Sequence, residues 1–225
     1  MANQFFDNPL GPPIEDRILI AFKEKESDKH GVKICSDLKT GLWLVKSRIS
    51  ELNKLQDVII IGIGGGSSSG KTYFSKKLKE KIISMDDYYK GIDLMKDLNF
   101  DDPNTLDLDF LREHLDLLKN GVAIKKPIYD FKTHLRKGYE KFEPNPVIIV
   151  DGLFALSDAI KDVLDIKVFI DSQSEKRLER RIKRDMKERG RSYESIIKQW
   201  EETVEPMYKR CVLPTRNYAD IIILN

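Results

Sequence analysis

The chain has little cysteine, no long apolar run and almost no net charge, and each lack excludes something. Only two cysteines occur among 225 residues, Cys35 and Cys211, and they lie far apart without metal-site spacing. They give no disulfide framework, so a reducing compartment is expected and both read as packing residues. No apolar stretch approaches the length of a membrane span, and residues 1–10 lack the basic and apolar blocks of a signal peptide. The expectation is a cytoplasmic protein with no membrane partner. Lys and Arg (39) nearly balance Asp and Glu (37), for a formal charge of +2, which argues against a general nucleic-acid binder. Internal repeats and low-complexity segments are also missing. What is present is 40% hydrophobic residues, enough for one large domain, or a domain with an appendage, to bury a core.

The most informative stretch is Gly65, Gly66, Ser67, Ser68, Ser69, Gly70, Lys71 and Thr72, which fits G-x-x-x-x-G-K-[ST] and follows the apolar run 58–61. A strand feeding a glycine-rich turn that opens a helix is a phosphate cradle, a P-loop. Backbone N–H groups and the positive helix end face the anion, Lys71 can reach the β and γ phosphates, and the Thr72 hydroxyl can ligate Mg²⁺. A flexible Gly/Ser linker would share the composition, but not the preceding strand or the Lys-Thr that follows.

Residues 1–56 read as an appendage. A Pro- and Gly-punctuated lead-in (5–13), a short strand (17–22) and a solvated charge run (23–30) precede Leu38, Leu42, Val45, Ile49 and Leu52, an amphipathic stripe with Ser36 placed to cap it. That stripe is expected to pack on the main domain, 57–225, where strand and helix patterns alternate. Strands are expected at 57–63, 81–85, 147–150, 166–170 and 220–224, and helices at 72–80, 108–118, 157–164, 174–188 and 193–204. A hairpin is expected at 126–131 and 138–142. This pattern is that of an α/β protein with a mostly parallel sheet covered by helices on both faces. Ligands of such sheets bind at the carboxyl ends of the strands, where Gly65, Asp86 and Asp151 fall.

Asp151 closes a β-branched run and can help hold Mg²⁺ through water, though Asp-Gly after a strand is also an ordinary turn. Asp86 ends the next strand, where a carboxylate can orient an acceptor hydroxyl and take its proton. The segment 175–191 carries Arg177, Arg180, Arg181, Arg184, Arg189 and Arg191. On a helix Arg177, Arg181 and Arg184 share one face, either a solvated surface or a lid whose guanidinium groups neutralise a transferring phosphate, with Arg-Gly-Arg as its hinge.

These blocks stand with Asn99-Phe100-Asp101-Asp102-Pro103, Pro127-Ile128-Tyr129-Asp130-Phe131 followed by His134 and Arg136, and Tyr218-Ala219-Asp220-Ile221-Ile222. In this order the chain resembles the uridine-cytidine kinases, within the wider uridine kinase and phosphoribulokinase group, over about residues 57–225. The resemblance implies a P-loop fold of the nucleoside and nucleotide kinase type, with a β-hairpin substrate lobe and an arginine-rich lid. It implies transfer of the γ-phosphoryl group of ATP or GTP, with Mg²⁺, to the 5′-hydroxyl of a pyrimidine ribonucleoside, in pyrimidine salvage. By the same resemblance Asp86 is the catalytic carboxylate, Asp101 holds the ribose hydroxyls, and Tyr129, Phe131 and His134 meet the base. Arg181, Arg184, Arg189 and Arg191 engage phosphates or nucleoside, and Gln199 is a substrate-side amide. A homo-oligomer, commonly a tetramer, is likewise implied. The chain departs from the family where Asp102 replaces the usual His, where Asp151 stands for the common Glu, and in its short segment between Lys71 and Asp86. The short segment, Asp102 and Met207-Tyr208-Lys209 are also similar to a uridine-kinase-like module fused to a triphosphate-tunnel domain in plant proteins. Two alternatives remain open: a same-fold kinase for another alcohol, such as another nucleoside, pantothenate or ribulose phosphate, and a nucleotide-binding regulatory or phosphohydrolase module.

Overall fold

A computed structural model describes residues 31–94 and 99–225. The strand expected at 17–22, the lead-in and the charge run lie outside the described residues. The elements follow in the order β1 (Lys33–Cys35), α1 (Leu38–Leu52), β2 (Ile59–Gly65), α2 (Lys71–Leu78), β3 (Lys81–Ser84), α3 (Leu108–Lys119), β4 (Ile124–Asp130), β5 (Leu135–Phe142), β6 (Val147–Asp151), β7 (Ile166–Asp171), α4 (Ser174–Arg189), α5 (Tyr193–Gln199) and β8 (Ile221–Leu224).

Among the described residues six parallel strands form one sheet in the order β1-β8-β7-β2-β6-β3, and β4 and β5 make a separate antiparallel hairpin. The inner strands are apolar on both faces because helices cover both. Ile60 and Phe169 point into a core with Leu111, Leu115 and Phe154. Their neighbours Ile59, Ile61, Ile63, Val168 and Ile170 point the other way, into a core with Phe74, Leu78, Leu42 and Val45. Residues 33–35 pair with β8 at the sheet edge, and the Leu42, Val45 and Ile49 stripe of α1 packs on the second core.

Three local readings are corrected. Asp37, not Ser36, caps α1: its Oδ1 accepts from the backbone N–H groups of Lys39 (2.8 Å) and Thr40 (2.9 Å), where a carboxylate is the stronger acceptor beside a helix N-terminus. Residues 157–164 do not form an α-helix. They bend through i→i+3 turns, with Ile160 N–H donating to Ser157 O, and only Lys161–Val163 winds as a 3₁₀ turn. Tight turning lets Leu156, Ile160 and Val163 all reach the core within a few residues. After Gln199 the helix expected to 204 widens into π-helical turns at Trp200–Val204 and Tyr208–Val212, on either side of Pro206. Proline has no N–H for the i→i−4 ladder, and wider turns absorb the gap.

Candidate active site

The strand register assembles the site. Ile63 of β2 and Ser84 of β3 both lie level with Asp151 of β6, so Gly65, Asp151 and Asp86 emerge together at the carboxyl edge of the sheet. The P-loop leaves β2 through Gly65 at φ +138°, where a Cβ would stand 2.4 Å from the Ile170 carbonyl oxygen. It enters α2 through Gly70 at φ +106°. Both conformations favour glycine. Arg177 lies behind Gly66, buried, its guanidinium 3.8 Å from the Tyr208 ring centroid and paired with Glu205 at 2.7 Å. It stands one turn before Arg181 on the same helix, but backs the loop at Gly66 instead of lining the cleft.

A cleft of about 1460 Å³ runs from this loop to the hairpin. Its walls include Ser67, Ser68, Gly70, Lys71, Thr72, Asp86, Asp101, Phe131, His134, Asp151, Arg181, Arg184, Arg189, Arg191 and Gln199. Gly65, Gly66 and Ser69 form the loop behind that wall, and Tyr129 is buried beneath the aromatic side chains. Asp102 does not line the cleft. Its carboxylate caps the turn Pro103–Thr105, accepting from Asn104 N–H at 2.8 Å.

At the centre, Lys71 Nζ donates to the Gly66 carbonyl at 2.8 Å. Burial lowers the Lys71 ammonium below its usual range, and the charges of Asp151 and Asp86 oppose that shift. Withdrawal from water pushes the Asp86 carboxyl up to about 6. Lys71 pulls it down, while Asp151 and Asp87 push it further up. Asp86 itself stays open to the cleft, so the depth of the cleft, rather than a covering side chain, desolvates it. Burial also raises Asp151, against Lys71 and the neighbouring Thr72 hydroxyl. Asp151 Oδ1 is buried without a hydrogen-bond partner, as are the Ser68 and Ser69 hydroxyls. These orphaned oxygens fit a divalent cation and a phosphate chain. No group of three or more His, Cys, Asp or Glu residues is placed to hold a metal among the described residues. A Mg²⁺ ion held at Thr72 and Asp151 would therefore complete its shell with phosphate oxygens and water, as Mg²⁺ commonly does.

The arginines close the cleft from α4 and the segment after it. Arg181 Nη1 donates to the Ser67 hydroxyl and its Nη2 to Gln199 Oε1, each at 2.9 Å. Arg191 Nη1 reaches the same oxygen at 2.5 Å, which leaves only the amide nitrogen of Gln199 to donate elsewhere. At the far end Tyr89, Phe100, Tyr129, Phe131 and His134 form an aromatic cluster, with Phe100 and His134 centroids 5.2 Å apart. His134 takes a left-handed backbone (φ +56°) at the hairpin tip, and its Nδ1 is buried without a partner. Asp101 is buried between this cluster and the arginines, its carboxyl raised by burial and restrained by Arg181.

Residues 60–225 match the Phosphoribulokinase / Uridine kinase family. The chain belongs to that family. A protein named uridine kinase from Ligilactobacillus salivarius is 41% identical over 185 residues, 76% of this chain and 87% of its own length. One of the same name from Halalkalibacterium halodurans is 42% identical over 179 residues, 73% and 85% of the two chains. Among solved structures, a kinase assigned to a fructose transport system in Silicibacter sp. TM1040 superposes with a TM-score of 0.69 at 16% identity, covering 82% of this chain and 98% of that one. At that identity the likeness concerns the fold, a P-loop kinase. No described helix is long and apolar enough to cross a membrane.

In this member of the phosphoribulokinase / uridine kinase family several site residues escape sequence reasoning. Tyr89 and Phe100 complete the aromatic cluster, and the Tyr89 hydroxyl donates to the Phe100 carbonyl at 2.7 Å. Arg136 binds the carbonyls of Tyr89 (3.0 Å) and Tyr88 (3.1 Å) and the Asp107 carboxylate (3.1 Å), tying the hairpin to the turn that carries Asp86. Asp87 is taken by the buried Lys126 at 2.5 Å, so Asp86 is the free carboxylate of the pair. Asp185, fully buried, lies among four arginines. The signal for it was an acid one turn beyond Arg181, on the same face of a basic helix.

Proposed function

We propose that the protein phosphorylates uridine or cytidine on the 5′-hydroxyl, using ATP or GTP with Mg²⁺, to give UMP or CMP in pyrimidine salvage. The observation that carries this reading is one cleft with a P-loop at one end and an aromatic cluster beside a buried carboxylate at the other, with Asp86 between them. Family membership and the names of the relatives support it.

The P-loop amides and Lys71 bind the nucleotide phosphates, and the Ser68 and Ser69 hydroxyls are available to them. Thr72 and Asp151 are the residues for Mg²⁺, which when bound neutralises phosphate charge. Asp101 accepts hydrogen bonds from the ribose hydroxyls. Tyr89, Phe100 and Phe131 pack on the pyrimidine, and His134 supplies a polar contact at its edge. The 5′-hydroxyl then lies at Asp86, which orients it and takes its proton as the oxygen attacks the γ-phosphorus. A carboxyl near 6 is mostly ionised at neutral pH, yet more basic than an ordinary aspartate. Arg181, Arg184, Arg189 and Arg191 stabilise charge spreading over the phosphoryl oxygens, and their closure sheds water.

A phosphate-transfer panel tests the reading, with uridine, cytidine, adenosine, pantothenate and ribulose 5-phosphate as acceptors. Transfer to the pyrimidine ribonucleosides above the rest is expected. Preferred transfer to pantothenate or ribulose 5-phosphate, or nucleotide hydrolysis without transfer, would overturn it.

A further inference from the structure

The carboxylate of Asp185 is 0% exposed, and four guanidinium groups surround it. Arg184 Nε lies 2.8 Å from Oδ1 and Arg189 Nη1 3.5 Å from the same oxygen. Arg181 Nε is 3.5 Å and Arg191 Nη1 3.8 Å from Oδ2. Arg181, Asp185 and Arg189 follow one another at i, i+4 and i+8 on α4, so helical spacing stacks them on one face. Arg191 returns to that face because Gly190 turns the chain at φ +62°, and the N–H groups of Gly190 and Arg191 both donate to the Asp185 carbonyl. Side chain and backbone of one residue therefore organise both the helical arginines and the turn that follows.

The balance of charge matters more than the count of contacts. One carboxylate faces four cations, and only the Arg184 contact has the length of an ordinary hydrogen bond. Arg181 Nε and Asp185 Oδ2 are buried without a hydrogen-bond partner. The carboxylate thus gathers the arginines without neutralising them, and the excess positive charge, with the terminal nitrogens of Arg184 and Arg189 on the cleft wall, remains for a second anion in the cleft. Without it, four guanidinium groups held this closely would repel one another, and some would turn to solvent. A preorganised set of donors adds to catalysis because no reorganisation is left for the moment of reaction.

We infer that Asp185 is a positioning residue, an internal anion that assembles the arginine set before phosphate arrives and leaves it one anion short. The turnover consequence rests on the kinase reading, whereas the anion consequence does not.

Asp185→Asn keeps the shape and removes the charge. The variant is expected to lose turnover with uridine by about tenfold or more, the scale of a displaced charge-stabilising group, while KM for uridine stays close to wild type. Added sulfate should raise its melting midpoint about twice as far as it raises the wild type's, because the external anion supplies the missing charge. Potassium chloride at equal ionic strength should not reproduce that difference. Equal sulfate shifts in the two proteins would overturn the inference, and so would unchanged turnover in a folded variant. Asp185→Glu keeps the charge and displaces it. It should lose turnover without the enlarged sulfate response, and it carries the test if the Asn variant does not fold. Wild-type turnover in Asp185→Glu would also overturn the inference. A wild-type enzyme that fails to phosphorylate any nucleoside would refute the kinase reading and leave the sulfate comparison standing.

Discussion

Arg181 donates to the Ser67 hydroxyl over 2.9 Å, so the helix that closes the cleft is tied directly to the phosphate-binding loop. Its second terminal nitrogen holds Gln199 at the same distance. A lysine has one nitrogen at its tip and cannot span both partners. Arg181→Lys is therefore expected to lower kcat/KM for the nucleotide by about tenfold, the worth of one charge-assisted hydrogen bond. Steady-state kinetics in both substrates check this, and wild-type values would mean that the contacts of Arg181 hold structure and contribute nothing to nucleotide use.

The raised carboxyl of Asp86 gives two linked expectations. With a value near 6, kcat/KM for the acceptor should rise with pH through that value and level off above it. The native state also keeps this proton to higher pH than the ordinary 3.8 of an aspartate. Between those two values it binds more protons than the unfolded chain, so stability falls as pH rises through the window. Asp86→Asn should then melt higher than wild type above the window and lose that advantage below it, while turnover drops by about a hundredfold. A variant that is both active and no more stable would move the base elsewhere.

Arg136 offers a test of how the hairpin is held. It ties β5 to the carbonyls of Tyr88 and Tyr89, next to Asp86, and to Asp107 at the start of α3. Arg136→Gln leaves those oxygens short of donors, an omission that costs about 1 to 3 kcal/mol. The expected result is a higher KM for uridine with KM for the nucleotide unchanged. Equal changes in both would show that the hairpin is not a separate substrate lobe.

His134 lies at the hairpin tip with an unpartnered buried Nδ1 and stacks obliquely on Phe100. His134→Ala should erode discrimination among bases while the preference for ribose persists, because Asp101 is untouched. A competition assay among uridine, cytidine and adenosine measures the first, and loss of ribose preference would reassign the residue.

Much of this site was legible in the sequence because its parts are local. The P-loop is a continuous motif, and strand-end acids such as Asp86 and Asp151 follow apolar runs of period and length that mark buried strands. The hairpin, α3 and α4 were equally readable, from turn chemistry, leucine spacing and arginine spacing in turn. What escaped depends on long-range packing. Arg177 has the spacing of a cleft residue, yet the rings of Trp200 and Tyr208 hold it behind the loop, where cation–π contacts and Glu205 compensate its burial. Strand Lys33–Cys35 is too short to carry a pattern of its own and exists through its pairing with β8. Phe100 and Tyr89 stand beside Asp101 and Asp86 in the sequence, but have no role of their own until the hairpin folds over them. The π-helical turns around Pro206 break the 3.6 period that a sequence reading assumes.

The most direct test of the account is the initial rate of γ-phosphate label transfer to uridine and to 2′-deoxyuridine at saturating nucleotide and Mg²⁺. If Asp101 holds both ribose hydroxyls, the deoxy substrate leaves part of a buried carboxylate unpaired, and kcat/KM for uridine should exceed it by about tenfold to a hundredfold, with the label recovered in 5′-UMP. Label found only in inorganic phosphate, or equal transfer to the two nucleosides, would contradict the account.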